Sequence, residues 1–597
     1  MKYFFRTVLL SSFLLLASIP SEANVVSGER KTWHRIDITF DGPQTSETAT
    51  PNPFRDYRLN VTFQHRETGR KYVIPGYYAA DGNAANTSAA SGNKWRVHFA
   101  PDDDGVWDYT ASFRTGTDIA VNSGASAGVA TGFNGAKGSF TVVPTDKIGR
   151  DFRARGWLRH TSSHFLQFAG TGEPFLKGGA DSPENFLGYF EFDNTQDYGG
   201  KTNLLANGLH RYEPHVRDWR SGDPTWQGGK GKGIIGALNY LAGKGMNSVF
   251  FLAMNVNGDG REVYPWTSYA ERYRFDVSKL AQWEIVLSHM DALGLMQHVV
   301  TQEQENDQLL DGGALGVQRK LYDRELIARF GHHLGVVWNL GEENTNTDAQ
   351  RKQFADFFKS QDPYDHPVVV HTYPNQYDAV YNPLLGYRTF DGTSLQIASL
   401  GVVHSETVKW VTRSAANGWN WFVSLDEIGP AGTGVKPDAD DFWHDAVRKQ
   451  GLWGNLMGGG AGVEWYFGGS YPNADLDCED WRSRDHMWDL TRLALDFFHE
   501  HLPFTEMVPA DSLTSATTDY CLAKAGQVYA VYLPNGGTTN LNLTGVSGTF
   551  DVRWFDPRNG GDLEVGTVAA VTGGGQRSIG QPPGSTTSDW VVLVRRR

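Results

Sequence analysis

The run Gly335-Val336-Val337-Trp338-Asn339-Leu340-Gly341-Glu342-Glu343 is a short apolar stretch that ends in carboxylates. It predicts a strand buried on both faces, with its chemistry at the C-terminal end. Seven other stretches read the same way: 174–181, 247–255 and 295–303 before it, and 367–373, 394–399, 419–427 and 461–468 after it. Segments such as 277–294 and 349–361 separate most of them, with apolar residues at helical three- and four-residue spacing. Eight strand–helix units over about 350 residues predict an α/β fold, a central (β/α)8 TIM barrel with long insertions after strands 1, 2 and 3. An open doubly wound sheet is the alternative, but no Gly-rich dinucleotide fingerprint follows the first strand.

A chain of 597 residues exceeds what one core can hold, and its texture changes on both sides of the barrel. Between Val25 and Val143, short alternating stretches such as 35–40, 57–65, 94–101 and 106–114 are broken by turn residues, which predicts an N-terminal β-sandwich. Helical periodicity ends near Phe504, and the stretches 520–534, 548–561 and 589–596 predict a small C-terminal all-β domain. Lys2 and Arg6 precede an apolar run that ends at Pro20-Ser21-Glu22-Ala23, an expected export signal leading to the periplasm or exterior. That run is too short for a membrane span. The expected division is therefore 1–23 signal peptide, 24–145 sandwich, 146–503 barrel and 504–597 C-terminal domain.

The formal net charge of −14 argues against a nucleic-acid partner, which would require clustered cations. The 19 Trp, 24 Tyr and 33 Phe suit ligands with apolar faces, sugars among them, although most will be core. Two cysteines, Cys478 and Cys521, exclude a disulfide framework or a Cys-rich metal site and leave a single bridge open. No metal and no cofactor is expected.

A barrel enzyme keeps its chemistry at the C-terminal strand ends. Here those ends carry Asp181 followed by Glu184, then Asn255, then Glu303, then Glu342, Glu343 and Asn344, then His371 and Tyr373, then Asp426 and Glu427, and finally Glu464 and Trp465. With Trp421 nearby, so many acids and amides suit a site that grips sugar hydroxyls and manages protons. Acetal hydrolysis needs one carboxylic acid and one carboxylate across the scissile bond, and strands 4 and 7 face each other across a barrel mouth.

The segments Trp338 to Asn344 and Ser424 to Gly429 resemble the strand-4 and strand-7 motifs of clan A retaining glycoside hydrolases. The resemblance implies Glu343 as acid/base and Glu427 as nucleophile. The family usually has Asn where this chain has Glu342, so Glu342 either binds the sugar or is itself the acid. An acidic helix N-terminus is the non-catalytic reading of Glu342 to Asn344. The N-terminal sandwich is similar to a domain of unknown function found ahead of barrels. The tail, with Trp554-Phe555-Asp556-Pro557-Arg558-Asn559-Gly560-Gly561, resembles a so-called collagen-binding domain of a collagenase, although no HExxH zinc motif supports a protease.

The expected activity is cleavage of a polysaccharide or oligosaccharide. An anionic one is favoured, since Arg482 and Arg484 after strand 8 suit oxyanions. Two other readings are a polysaccharide lyase with His371 or Tyr373 as base, and a non-catalytic carbohydrate-binding protein on a barrel scaffold.

Overall fold

The computed structural model describes Met1 and residues 24–200 and 208–597; the expected export signal lies outside them, Met1 apart. Among the described residues no helix is long and apolar enough to cross a membrane.

The N-terminal strands, from Val25–Gly28 to Lys137–Val142, form one antiparallel sheet of eight. Strict alternation buries Ile36, Ile38 and Phe40 on one strand and Leu59, Val61 and Phe63 on another. The sheet folds over on itself as a sandwich, bringing Phe40 to 6.4 Å from Tyr109, four places along the strand order.

Eight parallel strands follow: β1 (Lys177–Ala180), β2 (Ser248–Leu252), β3 (Met296–Val300), β4 (Val336–Asn339), β5 (Val368–Val369), β6 (Gly392–Ile397), β7 (Phe422–Ile428) and β8 (Gly462–Trp465). All eight lie inside or across the expected stretches. The first of these divides: Pro174–Phe175 joins a small antiparallel sheet with Leu158–His160 and Leu166–Phe168, and only Lys177–Ala180 enters the barrel. β1 pairs with both β2 and β8, and a single bridge between His371 and Ser394 joins β5 to β6 and closes the ring. Helices α1 (Lys232–Gly243), α2 (Val277–Leu293), α3 (Val317–Phe330), α4 (Asp348–Gln361), α5 (Tyr377–Tyr381), α6 (Val403–Ala416), α7 (Trp453–Met457) and α8 (Asp485–His501) follow the strands in turn.

Inside the barrel the packing is ionic as well as apolar. Lys177 Nζ contacts Asp426 and lies 2.9 Å from Glu464 Oε2. His298 Nδ1 is 2.8 Å from the same oxygen, Ser248 donates to the other Glu464 oxygen, and Asn339 Nδ2 is 3.1 Å from His298 Nε2. One buried network thus spans β1, β2, β3, β4, β7 and β8.

The C-terminal domain has its own core around Val531, Val552, Trp554 and Val592. It docks where Trp453 of α7 stacks on Tyr532 at 5.1 Å. Beside that stack, Asp589 receives Arg448 Nε at 3.1 Å, Arg448 Nη2 at 2.9 Å and the Tyr532 hydroxyl at 2.8 Å. Cys478 and Cys521 are both buried and unpaired, so the open question of a bridge is answered as two free thiols.

Asp589→Ala leaves the buried Arg448 guanidinium with only the solvent-facing Asp445 and the Trp443 carbonyl as partners, and should lower stability by about 2–4 kcal/mol in denaturant unfolding. The double variant Arg448→Met/Asp589→Leu should recover most of that loss.

Candidate active site

The register of β7 decides where its acids point. Leu395 of β6 pairs with Leu425, but Gln396 pairs with Glu427, so Asp426 is the extra residue of a bulge. Ser424 Oγ donates to Asp426 Oδ2 at 3.2 Å, and both lie inside the barrel. The bulge turns Glu427 to the mouth, opposite Gln396.

After β4 the chain turns sharply. Gly341 has φ 138° and Glu343 has φ 45°, a left-handed conformation that costs a non-glycine residue about 1–2 kcal/mol. The turn lets two consecutive carboxyls serve one centre. Helix α4 begins only at Asp348, with Thr347 as its N-cap, so Glu342 and Glu343 are not helix-capping acids.

Gln396 Nε2 donates to Glu343 Oε1 at 2.7 Å, and a hydrogen bond from Gln396 also eases the ionisation of Glu427. His371 Nε2 lies 3.4 Å from Glu427 Oε2. Glu342, His371 and Glu427 each present one atom within 4.8 Å of the others, a spacing a small cation could also span.

Among the described residues no lysine or arginine balances these acids as Lys177 balances Glu464. Burial alone would raise the Glu464 carboxyl, yet Lys177 and His298 hold it down at about 2. At the mouth the balance reverses. Burial pushes Glu427 up to about 8, with Glu343 adding to it. Burial and then Glu427 push Glu342 well above the usual carboxylate range, and Asp181 is raised in the same way. Glu184 rises through burial and Asp475, whose Oδ1 accepts from its backbone N–H at 3.2 Å; burial takes Asp475 itself to about 6. His371, buried beside His298 and Lys177, falls to about 3 and is neutral. Tyr373 is pushed up to about 12 by burial and by Glu343.

Several candidate ligands are brought elsewhere. Glu464 lies in the barrel interior below the mouth, because it faces the axis and is committed to Lys177 and His298. Trp465, its neighbour in the alternation, points outward and donates Nε1 to Thr491 of α8 at 2.8 Å. Trp421 precedes β7 at the end opposite the mouth and packs 5.9 Å from Tyr381. Both tryptophans are 0% exposed, which leaves no ring face for a sugar.

Asn255 is consumed in the loop after β2, accepting from Val263 N at 2.8 Å. Asn344 accepts from Arg351 Nε at 2.9 Å and donates to Gly341 O at 3.1 Å. Arg482 pairs with Asp218 and stacks on Tyr240 at 4.4 Å, and Arg484 donates to the Val435 and Pro472 carbonyls. Arg482 is committed to a carboxylate, and Arg484 is fully buried with Nη2 alone unbonded, so neither guanidinium faces the mouth as a ready oxyanion clamp.

Asp181, Glu303, Glu342, Glu343, His371, Tyr373 and Glu427 do converge, Glu303 through its repulsion of Glu342. Sequence reasoning missed three others. Gln396 ends the one strand for which no terminal polar residue was weighed. Tyr466 stands one residue beyond Trp465 and is raised by burial, Asp475 and Glu427. Asp475 sits in a long loop with no local signal.

Comparison with known proteins agrees with this architecture. Residues 29–114 match the family described as "Domain of unknown function (DUF5060)", and residues 503–595 match the "Putative collagen-binding domain of a collagenase". No curated protein matches the chain. The chain is similar to a solved structure from Bacteroides vulgatus described as a "putative glycoside hydrolase", at 18% identity and TM-score 0.61 over 95% of this chain and 99% of that one. A structure described as a glycoside hydrolase matches at 14% identity and TM-score 0.54, over 74% and 97%. A family 5 glycoside hydrolase from Bacteroides vulgatus matches at 14% and 0.53, over 75% and 96%. At these identities the likeness establishes the fold, a (β/α)8 barrel with flanking β-domains of the kind solved in glycoside hydrolases.

Glu427 titrates at about 8 in the folded chain against an ordinary value of 4.5, so between those values the folded state holds a proton that the unfolded state has released. This contribution to stability is full below the unfolded value and is lost as pH rises toward the folded one. Glu427→Gln should therefore raise the melting temperature relative to the parent chain at pH 8 more than at pH 4.5, by roughly 2–4 °C per kcal/mol relieved. A difference that stays constant across that range would show that the carboxyl is not held protonated.

Proposed function

We propose that the chain is an exported glycoside hydrolase that cleaves a polysaccharide or oligosaccharide with retention of configuration, with Glu427 as nucleophile and Glu343 as acid/base. The observation that carries this reading is that carboxyls from strands 4 and 7 meet at Gln396, whose Nε2 donates to Glu343 Oε1 at 2.7 Å and which pairs with Glu427 in register. Retention rests on the likeness of the two motifs to those of retaining enzymes, whose paired carboxyls stand about 5–5.5 Å apart.

In the first step Glu343 gives its proton to the glycosidic oxygen as Glu427 attacks the anomeric carbon. The C–O bond to the leaving group breaks and a glycosyl ester forms. In the second step Glu343, now a carboxylate, takes a proton from water, whose oxygen displaces Glu427. These close carboxyls share protons near neutrality, and the reactive form is the one that carries a proton on Glu343 and leaves Glu427 ionised, a state that the hydrogen bond from Gln396 favours. They also disfavour a uronate at the cleaved position, and Arg482 and Arg484 are engaged elsewhere, so a neutral unit suits that position. A lyase is less well supported: a histidine that titrates at about 3 is a weak base, and no free arginine neutralises a uronate there.

A second assignment is favoured by one observation, a Glu342 oxygen within 4.8 Å of Glu427, and makes Glu342 the acid. Leaving-group dependence separates the two. The acid's Gln variant should lose about 10²–10⁴-fold in kcat on natural substrate but much less on an aryl glycoside with an activated leaving group, and azide should restore its turnover. We expect this of Glu343→Gln, whereas Glu342→Gln should impair both substrates alike.

Glu427→Gln should lose about 10³-fold or more on either substrate. Proton NMR should show the first-formed sugar with the anomeric configuration of the substrate. Appearance of the opposite anomer, or of an ultraviolet-absorbing unsaturated product, would overturn the mechanism.

A further inference from the structure

Where the N-terminal sandwich meets α3 and α4, a cavity of about 660 Å³ opens away from the barrel strands. Its lining differs in charge from the catalytic mouth. Arg58, from the sandwich strand Tyr57–His65, and Arg324, from α3, contribute guanidinium groups that are only 4% and 7% exposed. Lys320, one turn earlier on α3, contributes a half-buried ammonium.

Among the described residues none of these three cations pairs with a carboxylate; Glu325, next to Arg324 in sequence, is taken by Arg329 at 2.7 Å. Asp356 is the one carboxylate that lines the cavity, and it accepts the Tyr387 hydroxyl at 2.7 Å. An acidic protein of formal net charge −14 therefore keeps an uncompensated cationic recess between two domains.

The donors are only partly used. Both hydrogen bonds of Arg324 leave from Nη2, to Leu59 O at 2.9 Å and Asn60 Oδ1 at 2.8 Å, so Nε and Nη1 make none. Arg58 spends its two terminal nitrogens on backbone carbonyls of residues 122, 124 and 125 and keeps Nε unbonded. Burying guanidinium groups beside each other is unfavourable, and Arg324 is accordingly pushed down to about 10 by burial and by Arg58. An oxyanion would relieve that repulsion and meet the free N–H groups in the geometry guanidinium prefers. Around the cations, Gln353 and Gln361 supply amides, while Val73, 50% exposed, and Phe357 supply an apolar wall.

We propose that this cavity is a second, non-catalytic binding site for an acidic saccharide, a sugar carrying a carboxylate or a sulfate ester. The oxyanion seats on Arg324 and Lys320, the ring hydroxyls meet the glutamine amides, and the C–H face of the ring lies on Val73 and Phe357. The choice of a saccharide rests on the proposed activity; the choice of an anion rests on the three unpaired cations alone. The sandwich then holds acidic units of a polymer whose neutral units the barrel cleaves.

The test is calorimetric titration of the full chain carrying Glu427→Gln, which removes turnover, with tri-galacturonate, a sulfated disaccharide, neutral galactotriose and inorganic sulfate. At least one acidic saccharide should bind saturably. Its binding should weaken as salt rises from about 50 to about 300 mM, and galactotriose should bind about tenfold more weakly or not at all. Lys320→Glu, at a half-exposed position whose side chain makes no hydrogen bond or ion pair among the described residues, should weaken acidic binding by about tenfold or more while the melting temperature is kept. Arg324→Met should weaken acidic binding likewise, with some loss of melting temperature from its bonds to Leu59 O and Asn60 Oδ1. In the otherwise unmodified chain, Lys320→Glu should leave hydrolysis of a small neutral aryl glycoside unchanged.

Acidic saccharides that bind Lys320→Glu as tightly as the parent, or that fail to bind at all, would overturn the site. Binding of sulfate without either acidic saccharide would overturn its assignment to sugars. Because the readout is binding, failure of the hydrolase reading would show separately, as absence of turnover in the unmodified chain.

Discussion

The ammonium of Lys177 on the barrel axis is the constraint from which the site follows. An amine buried there needs counter-charge, and it takes two, Asp426 from β7 and Glu464 from β8. His298, Ser248 and Asn339 then satisfy what remains of Glu464 and of one another, so strands on most of the ring share a single polar network. Asp426 must face the axis to reach Lys177. The residue after it would face the helices in a regular strand, and the bulge at Asp426 turns Glu427 to the mouth instead.

Two electrostatic layers result, stacked along the axis. In the lower one, each buried charge has an opposite charge beside it, and proton affinities are shifted toward full ionisation of Glu464. In the upper one, acids from β1, β4 and β7 and from the loops meet, among the described residues, without a cation, and Glu427, Glu342, Asp181 and Glu184 are shifted toward holding protons. A negative aperture that shares protons is hospitable to hydroxyl-rich neutral ligands and inhospitable to free anions. Three cations without a carboxylate partner among the described residues, Arg58, Lys320 and Arg324, gather instead at the sandwich boundary, so the two recesses of one acidic chain differ in sign.

Much of this was legible in the sequence. Short apolar runs, several of them ending in acids, identified every barrel strand, because a parallel strand covered on both faces has no polar face to confuse the period. The pairing of strands 4 and 7 followed from counting. Side-chain direction at the strand ends was harder to read. A shift of one residue exchanges axis for helix layer, so Glu464 and Trp465 could be assigned to a rim that only Tyr466 reaches. Trp421 failed for a related reason, since a run of nine residues does not announce which end of it the barrel uses. Gln396 was invisible because its importance comes from a bulge on the neighbouring strand. Arg482 and Arg484 looked available only because their partners, Asp218 and the carbonyls near Pro472, are distant in sequence or carry no sequence signature.

Between β5 and β6 the ring closes through one bridge, flanked by the Asp391 N–H to Val368 O bond and by the Tyr381 hydroxyl between Val370 O and Ser394 O, and one of the two residues in that bridge is His371. The hoop therefore has a clasp, and the clasp is also the side chain that touches Glu427. Whatever loosens the seam moves an imidazole away from the carboxyl that must react, and whatever alters that imidazole bears on the weakest joint of the ring. In this barrel, mechanical closure and chemical alignment meet at the same residue.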